Sequence, residues 1–414
     1  MIDKTTTGHR IWCHGPKPEF EADADWADQW YVGARTLPLV RSQDLIVLPG
    51  GNEPTQQFAR FCCRMLGLEE TQIIWTSGRS YLMDDDIRME QLPAIARAMG
   101  EDEDWTLVPY SVTAPFTRWA NELRAKTFGD EQEWVIRHGT KGILHPRADG
   151  AAHPDVPLLS QEVPGIRVAR GYSALGPAEL LMAHERLIED GVSSFVVKPM
   201  TGTTGEGIIF LDEPTAAESL RQYTFPMGPV VLEEKLHTDH DPDSGQCIAP
   251  SVQYAGSHVL GRPTVQLMQG AAFSGARLTA DLCPRMEEEI LEMTERILAW
   301  LKPKGPGGLD FLSVQGRPVL IDPNIGRFTG VHPARLFAGL YAPGASWICW
   351  KVNPKKNIWD FWHELEQDGI AFAPGRSTIG VFPLCYLPGM WGMLIAFGPK
   401  ERHAALCDRA NACL

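Results

Sequence analysis

The run from Phe195 to Leu211 limits the fold of this chain more than any other. Two apolar segments, Phe195–Val197 and Ile208–Leu211, flank a loop that holds Gly202, Gly205 and Gly207. Because an apolar, β-rich run follows the glycines at once, the loop should join two antiparallel strands. A P-loop leads into a helix instead and ends in Gly-Lys-Ser or Gly-Lys-Thr, an ending missing here. Glycines let backbone N–H groups come close to phosphate oxygens, the hydroxyls of Thr203 and Thr204 can add hydrogen bonds, and Lys198 supplies a point charge. These residues suit a lid over a triphosphate. An ordinary hairpin loop beside a surface lysine fits them too.

A second hairpin is legible further on, where Gly308–Val314 and Val319–Asn324 flank Gln315, Gly316, Arg317 and Pro318. A turn centred on Gly316 sets Asp310 opposite Asp322, with Cβ atoms roughly 5 Å apart. Asn324, two residues beyond Asp322, lies on the same face and offers a neutral oxygen. Facing like charges between apolar strands are destabilising unless a cation sits between them, and such oxygen ligands suit magnesium that keeps waters and substrate phosphates. A register one residue off would leave both acids merely solvated.

The 414 residues are long enough for two or three domains. Asp44–Pro49, Gly50 with Gly51, and Gln56–Leu66 read as strand, glycine turn and helix. That opening is Rossmann-like, but no third glycine follows at the fingerprint spacing, so it is an α/β unit and not a dinucleotide site. Between His145 and Gly165 the prolines 146, 154, 157 and 164 break any regular element and set a domain boundary. The divisions expected are 1–150, an N-terminal α/β domain; 151–240, a small lobe with the glycine-rich lid; and 241–414, a large lobe with the metal site and closing elements. Helical spacing appears over 178–190 and 285–301, and the tail reads as closing strands at 380–383 and 390–398 before a last amphipathic stretch over 400–413. Trp347, Trp350, Trp359 and Trp362 are expected in the core, with an acceptor pocket as the alternative.

Composition excludes several classes. A net charge of −14 opposes a nucleic-acid backbone, and no apolar run reaches the length of a bilayer span. The first residues lack a secretory or transit character, so a cytoplasmic location is expected. Nine cysteines without a Cys-x-x-Cys pair are expected to be free thiols.

Taken together, Lys198-Pro199, the glycine lid, an apolar hinge with acids at Val230–Leu236, and Asp310 with Asp322-x-Asn324 and a following arginine resemble the ATP-grasp superfamily. The resemblance implies an α/β (α+β) ATP-grasp fold, two α+β lobes gripping ATP behind a Rossmann-like α/β domain. It covers about residues 160–335. Residues 40–160 are similar, more weakly, to the pre-ATP-grasp region of pheganomycin-type peptide ligases. In such enzymes Lys198, Gly202, Thr203, Thr204, Gly205 and Gly207 would grip the phosphates, and Asp310, Asp322 and Asn324 would hold Mg2+. Glu233, Glu234 and Leu236 would meet adenine, and Asp241 is a candidate for the ribose. A second nucleotide lysine is expected upstream, Lys141 ahead of Lys126. Arg327 would neutralise the transferred phosphoryl group or orient a carboxylate, and Gln266 would line the site. The implied activity is an ADP-forming ligase using ATP and Mg2+ to join a small-molecule carboxylate, as an acyl phosphate, to an amine. Amino acids or peptides are within range as substrates, a homodimer is an allowed assembly, and neither nucleic acid nor membrane is a partner. A small-molecule kinase and a non-catalytic ATP-binding module are the alternatives.

Overall fold

The computed structural model describes residues 8–14, 33–49, 53–76, 85–100, 104–151, 158–201, 205, 207–226, 228–242, 244–278 and 282–414. Gly202, Thr203 and Thr204 of the lid, and Gly50 and Gly51, lie outside the described residues.

Three sheets organise the chain. The first is wholly parallel and five-stranded, in the order β3-β2-β1-β4-β5, from β1 (His9–Cys13), β2 (Leu45–Pro49), β3 (Ile73–Thr76), β4 (Trp105–Pro109) and β5 (Lys126–Thr127). Its strands are runs of Ile, Val, Leu and Trp with both faces covered, as parallel strands require. The helix Glu53–Leu66 follows β2, in keeping with the strand-turn-helix reading.

The second sheet is antiparallel, in the order β6-β9-β7-β8, from β6 (Gly171–Ala174), β7 (Ser194–Pro199), β8 (Ile209–Asp212) and β9 (Val230–Glu234). The glycine loop does join two antiparallel strands, with Val197 opposite Ile209. The helix Pro177–Glu189 backs this sheet: Pro177 starts it, and Leu180, Ala183, His184 and Leu187 form its buried stripe.

The third sheet is antiparallel and nine-stranded, running β15-β14-β10-β12-β13-β16-β18-β17 with β11 (His258–Val259) on β10. Its strands are β10 (Pro250–Ala255), β12 (Thr264–Gln269), β13 (Ala272–Leu278), β14 (Pro306–Val314), β15 (Arg317–Asn324), β16 (Trp347–Val352), β17 (Gly380–Leu387) and β18 (Trp391–Phe397). The helix Pro284–Leu301 packs beneath β10 and β15, and ends where Lys302 turns left-handed at φ 50°.

The Asp310–Asp322 pairing is present, but not through the turn expected. Gln315 and Gly316 both have positive φ, 52° and 72°, so the hairpin turns on two residues, with Val314 opposite Arg317. Continued without interruption, that register would set Asp310 opposite Ile321. A β-bulge between Asp310 and Phe311 shifts it by one, so that Phe311 faces Leu320 while Asp310 faces Asp322.

The N-terminal unit and the C-terminal strands share one core. Phe61 of the helix after β2 makes ring contacts with Trp359, Trp362 and Phe382 at 5.3–5.9 Å. Burying one such side chain contributes about 1.5–3 kcal/mol. Trp347, Trp350 and Trp362 are buried and Trp359 packs against the same cluster, so the tryptophan group is core, and none of the four lines the cavity described below. Among the described residues all nine cysteines are free. No helix there is long and apolar enough to cross a membrane.

Candidate active site

A cavity of about 540 Å³ is walled by the second and third sheets and by residues of the N-terminal unit. On the second sheet, Lys198 of β7 and Glu233 of β9 share a face, because Val196 pairs with Glu233 two residues away. Lys198 Nζ lies 2.5 Å from Glu233 Oε2, and His145 Nε2 lies 2.9 Å from Glu233 Oε1. All three side chains are buried. Burial by itself raises the Glu233 carboxyl, but the Lys198 charge and the His145 hydrogen bond outweigh it and hold the group down at about 2. Glu233 therefore steadies Lys198, with one carboxylate oxygen on Lys198 and the other on His145. Glu234, one residue on and facing the other way, accepts from Arg170 Nε at 2.8 Å and reaches the cavity rim with Lys235 and Leu236.

Lys141 enters from a short 3-10 turn, Lys141–Leu144, whose start is capped by Thr140 Oγ1 accepting from Gly142 N. Lys141 N also donates to Met200 O at 2.9 Å, fixing the turn to the end of β7. The side chain is buried, with Nζ 3.3 Å from Asp322 Oδ1. Burial pulls its pKa down, Asp322 opposes that, and the charges of Arg327 and Lys198 add to it. Lys126, the other candidate, is exposed on the edge of the first sheet and pairs with Asp104.

On the third sheet, Asp310 accepts from Ser251 Oγ at 2.6 Å and from Asn324 Nδ2 at 2.8 Å, and Gln266 reaches it from β12. Arg327 Nη2 donates to Asn324 Oδ1 at 2.8 Å. Burial and the facing Asp322 push the Asp310 carboxyl up to about 6. Among the described residues no group of three or more His, Cys, Asp or Glu gathers. The donor set is thus two carboxylates and an amide, which leaves positions for phosphate oxygens and waters around a small hard cation. Two facing acids, one of them raised by burial and by the charge of the other, suit such an ion.

Two expectations are placed differently. Asp241 does not line the cavity: it forms an ion pair with Arg277 at 2.5 Å and accepts from Ser244 N within its own loop, so the ribose role has no support in its position. Of the lid glycines, Gly205 lines the cavity at φ +83°, where an added Cβ would fall 2.1 Å from Ala271 O, and Gly207 is exposed at φ +71°. The lid thus rests on the turn between β12 and β13 at a point where only glycine fits.

Residues 33–125 match the family model described as Pre ATP-grasp domain. No curated protein matches the chain in sequence. Among solved structures, N5-carboxyaminoimidazole ribonucleotide synthetase in its ADP complex is similar at TM-score 0.59 and 10% identity, over 98% of this chain and 96% of the other. Biotin carboxylase from Campylobacter jejuni in an ATP-analogue complex is similar at TM-score 0.58 and 14% identity, over 96% and 89%. Phosphoribosylamine–glycine ligase from Thermotoga maritima gives TM-score 0.52 and 14% identity, over 98% and 95%. The chain has the ATP-grasp fold.

Within this ATP-grasp fold, several residues escaped the sequence reading. His145, which holds Glu233 without itself lining the cavity, was legible only as part of a proline-rich boundary. Arg35, Tyr110, Phe273, Lys351 and Trp391 line the cavity, and no local motif marks any of them. Tyr110 and Arg35 come from the N-terminal unit, whose Tyr110 O accepts from Phe328 N at 3.0 Å and whose Ser111 Oγ donates to Gly326 O at 3.0 Å. These bonds tie the parallel sheet to the loop that carries Arg327.

Proposed function

We propose that the chain is an ATP- and Mg2+-dependent ligase that activates a carboxylate as an acyl phosphate, couples it to an amine, and releases ADP and phosphate. The observation that carries this reading is the convergence of Lys141, Lys198 and the facing pair Asp310 and Asp322 on one cavity, with Arg327 behind Asn324 of its wall. Binding of adenine alone calls for no such set, which disfavours a non-catalytic module. Solved neighbours of the same fold are complexes with ADP, an ATP analogue and MgADP, and this supports the same nucleotide and ion here.

In this reading Lys198 and Lys141 neutralise the phosphates from opposite walls, and Glu233 keeps Lys198 aimed. Asp310, Asp322 and Asn324 hold the ion, which supplies charge neutralisation on the transferred phosphoryl group. Arg327 steadies the same charge from beyond Asn324. A carboxylate oxygen attacks the γ-phosphorus, the bond to the bridging β-phosphate oxygen breaks, and ADP leaves. The amine nitrogen then attacks the acyl carbon, the bond from that carbon to the phosphate oxygen breaks, and phosphate departs as the nitrogen loses its proton. The lid around Gly205 would keep water from intercepting the acyl phosphate. The substrates are small molecules, and peptide or other amide products fall within this chemistry. The divisions 1–150, 151–240 and 241–414 belong to the same proposal: each carries one of the three sheets.

The experiment supplies Mg2+ and ATP with candidate carboxylates and hydroxylamine. A hydroxamate should form with stoichiometric ADP, and oxygen label from the carboxylate should appear in phosphate. AMP and pyrophosphate as products would refute the mechanism. Label transfer without net ADP formation is excluded by the same scheme.

A further inference from the structure

We propose that Gln253 and Arg335, neither of which lines the cavity, are positioning residues for the ion: through Ser251 they fix the direction of one hydrogen-bond donor on Asp310 and so hold that carboxylate in place as a ligand. This rests on the ion site of the ligase reading and extends it to a layer behind the cavity wall.

On β10, Ser251 stands directly opposite Asp310 of β14, and Gln253, two residues on, projects from the same face of the strand. Ser251 lines the cavity, whereas Gln253 is buried behind it. The third member comes from far along the chain: Arg335 lies in the first turn of the helix His332–Tyr341 and is buried as well. With Asp310 these side chains form an unbroken row. Arg335 Nε donates to Gln253 Oε1 at 3.1 Å, Gln253 Nε2 to Ser251 Oγ at 2.8 Å, and Ser251 Oγ to Asp310 Oδ1 at 2.6 Å.

The row runs in only one sense. A guanidinium has donors and no acceptor, so the Gln253 amide must turn its oxygen to Arg335 and its nitrogen to Ser251. That nitrogen only donates, so Ser251 Oγ accepts from it and sends its own hydrogen to Asp310. Each bond polarises the next in the same direction, from a cation at one end to a carboxylate at the other. Arg335 is itself held fast: Nη1 donates to Leu260 O at 2.6 Å and Nη2 to Arg262 O at 2.5 Å, while Leu260 N donates back to Gln253 O at 2.8 Å. The turn between β11 and β12 closes on it through Gly261, at φ +84°, where an added Cβ would fall 3.1 Å from Arg335 Nη1.

On its other oxygen Asp310 accepts from Asn324 Nδ2, so donors on both sides set the plane of the carboxylate. Ser251 alone would not do this, because a serine hydroxyl rotates to suit its surroundings. With Gln253 occupying its acceptor side, the hydroxyl is left to point at Asp310. Magnesium demands near-ideal octahedral geometry and is sensitive to the rotation of such a ligand. Partners behind the ligands of a metal commonly change its affinity by about 10–100-fold when they are removed. A row that served only to satisfy buried polar groups would alter stability and leave ion affinity untouched, and this difference separates the two roles.

The test uses Mn2+ as a paramagnetic stand-in for Mg2+, titrated into the full chain saturated with ADP and followed by electron paramagnetic resonance. Gln253→Met should weaken Mn2+ by about ten-fold, and ADP affinity without metal should stay that of the unaltered protein. Gln253→Glu keeps the shape and the contact with Arg335 but has no donor for Ser251, so it should lose at least as much; it also decides the matter if Gln253→Met fails to fold. Because Gln253 acts through Ser251, Gln253→Met should add nothing in a Ser251→Ala background, where the effects of two independent residues would add. Unchanged Mn2+ affinity in both Gln253 variants, or additive losses in the double variant, would overturn the proposal. Failure of the unaltered protein to bind Mn2+ with ADP would sink the ion assignment itself, an outcome distinct from Mn2+ that binds and ignores Gln253.

Discussion

On the second sheet the carboxylate of Glu233 lies between Lys198 and His145, whereas on the third sheet the carboxylate of Asp310 lies opposite another acid, Asp322. Both line one cavity, yet one is held down at about 2 and the other pushed up to about 6. The difference lies in what the protein itself provides. Glu233 has its counter-charge built in and serves as a fixed support for a lysine. Asp310 faces a second acid, and its hydrogen bonds from Ser251 and Asn324 and the charge of Arg327 do not offset burial and that repulsion. In the proposed function, one wall is preorganised and the other would be completed by its ligand.

The largest effect should come from removing the part that waits for a ligand. Asp322→Asn should cut turnover by about 10³-fold or more while circular dichroism stays unchanged, because charge neutralisation of the phosphoryl group is lost. Full activity in that variant would break the metal assignment. On stability the two walls should then part. Glu233→Gln strands the buried Lys198 charge and should cost about 3–5 kcal/mol in denaturant unfolding without nucleotide. Asp310→Asn removes a charge that faces Asp322 and should stabilise the metal-free protein by on the order of 1–3 kcal/mol at neutral pH. A loss in both variants would erase the contrast.

The pH dependence sharpens the comparison, since the two signs are opposite. Glu233 is lowered from 4.5 to about 2, so its contribution is full above pH 4.5 and drains away as pH falls towards 2. Asp310 is raised from 3.8 to about 6, so the native state holds the proton longer and metal-free stability falls as pH rises through that window. Unfolding profiles of Glu233→Gln and Asp310→Asn should each lose one of these slopes and keep the other. The smallest effect concerns His145, a positioning residue that touches Glu233 and does not line the cavity. His145→Ala should raise the KM for ATP by about ten-fold with a smaller change in kcat, and His145→Asn, which can still donate to Glu233, should recover part of it. A kcat loss with unchanged KM would show that His145 does something other than aim Lys198.

Much of this site was legible because its chemistry is local. The glycines after Lys198 and the acids at 310 and 322 lie on hairpins, and a hairpin brings distant-looking positions together by strand alternation alone. The Asp310 pairing was nonetheless reached by a turn centred on the wrong point, and it is the bulge that makes the register right. A bulge has no residue signature here, since Phe311 and Ile321 are ordinary strand residues. Glu233 and Glu234 were recognised as hinge acids, but which of two adjacent carboxylates turns inward depends on the pairing of β9 with β7. Where Asp241 points was not legible, because its partner, Arg277, lies 36 residues away on β13.

By itself the sequence determined the antiparallel lid hairpin, the hairpin that carries the two acids and the opening α/β unit, because each follows from apolar periodicity and turn residues within a short stretch. Only the tertiary structure decided that Lys141 and not Lys126 meets Asp322, that His145 braces Glu233, and that Arg35, Tyr110 and Lys351 close the other end of the cavity. Those side chains come from three separate sheets or the turns between them. Their meeting is set by how the sheets pack, a long-range balance of buried surface and chain entropy that no local spacing encodes.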